Sequence, residues 1–363
     1  IGGLTKEGSG TLTLTGASGY TGGTEVNAGK LMLGASNRLP SAGALILNGG
    51  DFDLNSFDQT VGRLSGSGGA IALGTGTLTV DQSTATSYAG AIGGAGRLIK
   101  TGAGALNLTG TNNIAGGTTV NAGTLLNNGS LASSVTVNAS GTLGGAGVFG
   151  GGIDMFGTVA PGNSIGTMNV SGPVTFHNGS VYEVEVNSAG ASDLIQVTGN
   201  VAINGGTVRV LAESGIYGPT TNYTILKAGS ITGTFSDITS NLAFLTPSLT
   251  YSPNDIGLTL TRNAVFFADV ATTPNNRAVA MALDQVSGNG QMATTTNAVL
   301  GMSADRANHA FAQMSGEIYG AFATANVMAG QRFLSTIGQQ MALARDDNSL
   351  NAKGNRVSLA AAM

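Results

Sequence analysis

Through most of this chain the apolar residues come in short alternating words fenced by Gly, Asn or Pro. Leu12-Thr13-Leu14, Leu78-Thr79-Val80 and Val135-Thr136-Val137 place an apolar side chain at every second position. That is the period of a strand with one buried face. Ala44-Leu45-Ile46-Leu47 with Asn48-Gly49-Gly50, and Gly90-Ala91-Ile92-Gly93-Gly94, use the same vocabulary. Farther along the words lengthen, as where Val184 and Val186 alternate with Glu183 and Glu185. From Phe266 the period becomes helical. Thr273-Pro274-Asn275-Asn276-Arg277 opens a helix through Ala278, Val279, Met281, Ala282 and Leu283, ended by Gly288-Asn289-Gly290. A second helical stretch over 303–343, with Ser303 at its N-cap, repeats Phe311, Met314, Ile318, Phe322, Ala325 and Met328 at three- and four-residue spacing.

The strand words repeat at long range. Residues 4–31 align without gaps on 98–125, an offset of 94 (98 − 4). Matched positions include Gly8/Gly102, Gly10/Gly104, Gly16/Gly110, Gly22/Gly116 and Gly29/Gly123, with the apolar pegs Leu12/Leu106, Leu14/Leu108, Val26/Val120 and Leu31/Leu125. Such a unit buries its apolar face only by stacking on its neighbours. Coils of roughly 20–25 residues about 4.8 Å apart would turn residues 4–160 into a shaft on the order of 30–35 Å long. A β-sandwich of hairpins is the competing architecture, but hairpin sheets rarely repeat glycine corners at fixed spacing.

Between 159 and 263 the strands grow longer and aromatics concentrate: Phe176, Tyr182, Tyr223, Phe235, Phe244 and Tyr251. A solenoid needs its open end capped, and this bulkier stretch suits a cap that is also a stable nucleus. The ordered words APGNSIGT, SVYEVEV, SDLIQVTG, GGTVRV, YTILKAG, GTFSD, NLAFLTPSL and LTLTRN, between 160 and 263, closely resemble the autochaperone segment of bacterial autotransporters (type V secretion). GTLTLTG, GGTxVNAG and LxLG are similar to that family's passenger-associated repeats, and PNNRAVAMALDQ with QMSGEIYGAF to the helical region before its barrel.

The resemblance implies an all-β, right-handed parallel β-helix (solenoid) with a C-terminal β cap, followed by a helical linker region. The expected divisions are a shaft over 1–158, an autochaperone-like cap over 159–263, a linker over 264–345 and a tail over 346–363. It implies a surface-exposed or secreted passenger of a Gram-negative bacterium, reached through the periplasm, with an adhesion or virulence role. Implied partners are the chain's own outer-membrane β-barrel, the barrel assembly machinery and a host-cell or matrix surface. The barrel is expected outside this sequence: only 100 residues (363 − 263) follow Asn263, they read as helix, and a barrel needs at least eight strands of about 9–11 residues. The opening Ile1-Gly2-Gly3-Leu4 enters a strand at once, so the chain is expected to begin inside a longer passenger.

Composition supports stacked β structure over disorder. Glycine makes 59 of 363 residues and charged residues 9%, against a usual ~25%, yet 41% are hydrophobic. A net charge of −4 without a basic run speaks against nucleic acid, and the absence of cysteine excludes disulfides. Gly162-Asn163-Ser164-Ile165-Gly166 matches a nucleophile elbow in letters, but a strand and not a helix is expected after it. His177 and His309 are the only histidines and fall in different expected domains. Gly145-Ala146-Gly147-Val148-Phe149-Gly150 matches a dinucleotide loop without its βαβ unit. Asp51, Asp53 and Asp58 form the acidic cluster of the shaft, near Arg38 and Arg63. They are read as solvated, with a polysaccharide-degrading solenoid enzyme or a ligandless scaffold as alternatives. No residue is assigned a catalytic, cofactor-binding or metal-binding role, no cofactor is expected, and the chain is read as a non-enzyme.

Overall fold

The computed structural model describes residues 2–287 and 290–351. It divides into two units, one of Ile1–Val265 with Gly290–Ser303 and one of Phe266–Asn289 with Ala304–Met363.

The first unit is the expected parallel solenoid. Each coil visits three sides: strands Thr77–Asp81, Thr86–Tyr88 and Ala91–Gly94 lie parallel on Arg97–Thr101, Ala105–Leu108 and Thr111–Ile114 of the next coil. The register step in the shaft runs from 16 to 21 residues: Leu4 lies beside Thr24 (24 − 4 = 20), Thr24 beside Leu45 (45 − 24 = 21) and Thr142 beside Thr158 (158 − 142 = 16). Alternation does the rest. Leu98, Leu106, Leu108 and Ile114 point inward and are fully buried, while their strand neighbours face out. Large side chains are not confined to the C-terminal coils, because Phe52, Tyr88 and Phe149 are fully buried inside the shaft.

Stacking continues without a break across position 159. Thr158–Pro161 pairs parallel with Val135–Gly145 on one side and Val181–Val186 on the other. What changes is coil length: Val181 lies beside Thr207 (207 − 181 = 26) and Thr207 beside Asp237 (237 − 207 = 30). The parallel run ends in an antiparallel hairpin, where Asp255–Arg262 pairs with both Thr220–Lys227 and Leu245–Tyr251. A short helix, Ala293–Leu300, belongs to this unit and buries Thr296, Val299 and Leu300. Just beyond it Met302 O accepts the Ala243 N–H at 3.0 Å.

The second unit contains the expected helix Pro274–Val286, with Thr273 as N-cap accepting the Asn276 N–H at 3.1 Å. Asp284 accepts the N–H groups of Phe267 and Ala268 at 2.8 and 3.0 Å. Asn308 ties the unit together, accepting from Thr272 N and donating to Val270 O. The stretch expected as one helix over 303–343 is two, Ala304–Ser315 and Glu317–Asn351. Gly316 at φ 73° separates them, a left-handed conformation that a continuous helix does not hold. The second helix runs past 345 to Asn351, and the rest of the expected tail, 352–363, lies outside the described residues. Val327, Phe333, Leu334 and Met341 on it are exposed. Among the described residues no helix is long and apolar enough to cross a membrane.

Candidate functional site

The turn over 160–167 joins the short coils to the long ones, and three interactions fix it. Gly145 and Gly162 exchange backbone N–H···O bonds, both 3.1 Å, which clasps the turn to the preceding coil. Asn163 and Asn128 exchange side-chain amide bonds of 2.9 and 3.1 Å. On the following coil Asp193, 1% exposed, accepts from Gly166 N and Glu185 N, each at 2.8 Å. A buried carboxylate is tolerated only when so bonded. Burial nevertheless pushes the Asp193 carboxyl up to about 7, opposed by those two N–H donors and reinforced by Glu185 and Glu183.

Glu183, Glu185 and Asp193 share a cleft of about 250 Å³ with the turn. Glu183 pairs with the Arg209 guanidinium of the next coil. The Glu185 carboxyl is raised by burial and then by the charges of Glu213 and Glu183.

Beyond the turn lies an aromatic cluster. Phe176 stacks on Tyr182 at 6.0 Å between centroids and meets Phe235 edge-on at 5.0 Å. Tyr182 is fully buried and donates its hydroxyl to Ile225 O. Tyr217 donates to Val186 O at 3.1 Å and Glu213 O at 3.0 Å, and Tyr223 to Asn187 O at 2.8 Å. Phenols sunk among strands thus bond neighbouring backbone carbonyls.

The motifs weighed from sequence take these places. Ser164 lies in the turn, and the strand Thr167–Val170 follows it. His177 stacks face to face on Phe156 at 3.9 Å and stands 3.5 Å from Asp154; His309 is in the other unit. Within Gly145 to Gly150, Ala146 and Gly147 turn the corner between the strands Val135–Gly145 and Val148–Phe149. Asp51, Asp53 and Asp58 do not converge on one centre but each holds backbone. Asp51 accepts from Ala70 N at 3.0 Å and Asp58 from Thr77 N at 2.8 Å, both on the next coil. Asp53 accepts from Asn55 N and pairs with Lys30 at 3.2 Å.

One pair of residues escaped sequence reasoning. Lys6 and Lys100, equivalent in the two repeats, are buried, at 7% and 0% exposure. Each ammonium is held by backbone carbonyls of two successive coils: Glu7, Gly8 and Ala28 around Lys6, and Thr101, Gly102 and Ala122 around Lys100. Burial lowers the Lys100 pKa, and Asp81 acts in the opposite sense. The signal was present in the alignment, as a lysine at the same place before a glycine corner in both copies.

Comparison with known proteins matches the same repeats. The passenger-associated-transport-repeat family model fits residues 4–33 and 98–126. The chain is 44% identical over 116 residues to an adhesin, the BmaC autotransporter of Brucella suis biovar 1 (strain 1330), covering 30% of this chain and 3% of that protein. It is 34% identical over 184 residues to an extracellular serine protease of Serratia marcescens, covering 48% of this chain and 18% of that one. The chain therefore spans a small part of either relative's length.

Proposed function

We propose that this chain, which carries the transport repeats of autotransporter passengers, is a stalk segment displayed at or released from the surface of a Gram-negative bacterium. Its C-terminal coils act as an autochaperone. Residues 1–158 form the shaft, 159–263 the folding cap, 264–345 a linker to the protein's own outer-membrane barrel, and 346–363 a tail. Barrel assembly machinery would act on the protein during secretion, and a host-cell or matrix surface is the target of an adhesive role. We assign the segment no catalysis of its own: the one elbow-like serine, Ser164, is followed by a strand, and the Asp51, Asp53 and Asp58 carboxylates are spent on backbone.

One observation carries the autochaperone reading. The parallel stack ends in an antiparallel hairpin over a fully buried core of Phe176, Tyr182, Tyr217 and Phe244. A hairpin that turns the chain antiparallel and a dense aromatic core support folding of this end without a further coil beyond it, whereas a shaft coil needs a neighbour on which to stack. Large buried side chains contribute roughly 1.5–3 kcal/mol each. Limited proteolysis of the full chain should leave a fragment spanning 159–263 as the last to survive. A separate 159–303 fragment should refold alone and accelerate refolding of 1–158 added in trans. Early cleavage inside 159–263, or no effect in trans, refutes the proposal.

A further inference from the structure

Three successive shaft coils turn the same corner in different ways. One uses residues 40–43 and another uses 82–85. Between them Gly62 alone joins Gln59–Val61 to Arg63–Ser65. A one-residue corner between two longer ones leaves a recess. Its floor is tight: Gly62 N donates to Gly43 O at 2.9 Å, and a Cβ on Gly62 would stand 2.4 Å from Ala42 O.

Both walls are pinned from inside by buried glutamines. Gln59, 1% exposed, accepts from Leu39 N at 3.0 Å and donates to Leu39 O at 3.1 Å, holding the 40–43 corner. Gln82, fully buried, donates to Thr84 O at 3.2 Å and to Ala105 O, holding the 82–85 corner. The recess is therefore formed before any ligand arrives, which lowers the cost of binding.

Two connected hollows of about 460 and 350 Å³ make up the recess and share Ala42, Gly62 and Ser83. Ser41, Thr60 and Asp81 line one and Arg63 the other. Among the described residues no aromatic or large aliphatic side chain lines either hollow. That removes the anchors an apolar ligand, a hydrophobic peptide or a stacked base would need. A single guanidinium does not make a polyanion track. Hydroxyls, one carboxylate and one guanidinium instead suit a polyhydroxylated molecule bearing one acid group. Asp81 accepts one bond, from Thr101 Oγ1 at 3.0 Å, and a carboxylate has further lone pairs to offer.

We propose that the recess at Gly62 binds a carboxylate-bearing sugar, with Arg63 pairing to its acid group and Asp81, Ser41, Thr60 and Ser83 taking its hydroxyls. The test is an NMR titration of the full chain with a disaccharide containing one glucuronate, beside the same disaccharide with that carboxyl reduced to an alcohol. The acidic sugar should shift the Gly62 and Ser83 amides saturably, and the reduced one should bind roughly tenfold more weakly, as loss of one charge-assisted pair dictates. Arg63→Gln should bring the acidic sugar down to the level of the reduced one. Ser83→Trp, at an exposed corner position, should fill the recess and abolish the shifts with an unchanged circular dichroism spectrum. Equal affinity for both sugars, an Arg63→Gln chain that binds like the parent, shifts spread along the shaft, or no shift at the recess would each overturn the proposal.

Discussion

Asp193 couples the joint between short and long coils to pH. Its carboxylate is 1% exposed and bonded to two backbone N–H groups, and burial raises its pKa from the usual 3.8 to about 7. The folded chain therefore keeps a proton that the unfolded chain releases as pH climbs above about 4. Stability from this group is fully present below the unfolded value and is lost as pH rises through about 7. Between pH 5 and pH 8 the two values give a loss of roughly 2–3 kcal/mol. Asp193→Asn keeps the shape and cannot titrate. Urea unfolding of both chains at pH 5 and pH 8 isolates the term, because other groups cancel in the difference. The parent should lose about 2–3 kcal/mol more than the variant over that interval. Parallel pH profiles would show that the two N–H donors hold the carboxyl ionised throughout, and the reasoning would fail.

Other substitutions probe the long C-terminal coils and the short coils before them separately. Phe176→Ala empties the centre of the aromatic cluster and should cost about 3–5 kcal/mol in urea unfolding; a loss below 1 kcal/mol would mean the coils collapse around the gap. Tyr217→Phe removes the donor to Val186 O and Glu213 O and should cost about 1 kcal/mol by the same measurement. Lys100→Met keeps the stem and removes the ammonium from its three carbonyls, for a loss of about 2 kcal/mol after relief of the buried charge. A methionine chain as stable as the parent would show that the cage merely tolerates the lysine.

The coil was legible because corner glycines and inward leucines recur together. Gly102, Leu106 and Leu108 repeat Gly8, Leu12 and Leu14, and stacking requires both kinds of position at once. Equivalent letters still meet different surroundings: Leu106 is fully buried, whereas Leu12 is 37% exposed. Lys100 was hidden because lysine is ordinarily a surface residue, and only a cage of carbonyls from two coils makes its burial tolerable. The helix Ala293–Leu300 was missed for a local reason. Its run Thr294-Thr295-Thr296 is poor in helix propensity, and Thr296 sends its hydroxyl to Met292 O and Ala293 O, invisible in a periodicity count. Gly316 reads as a tolerable small residue within an apolar stripe, and its backbone angle alone divides the two helices. Asp193 looked like one more polar residue before a strand. Its role needs Gly166, 27 positions away, to be brought beside it.

The antiparallel end of the stack bears on self-association. The outermost strand of the thirteen-strand sheet is Leu245–Tyr251, held antiparallel and carrying Pro247. An extended segment of another chain laid along that strand would meet a residue without an N–H partway down its length. Leu245–Tyr251 is therefore a poor template for edge-to-edge aggregation, even where many copies crowd together.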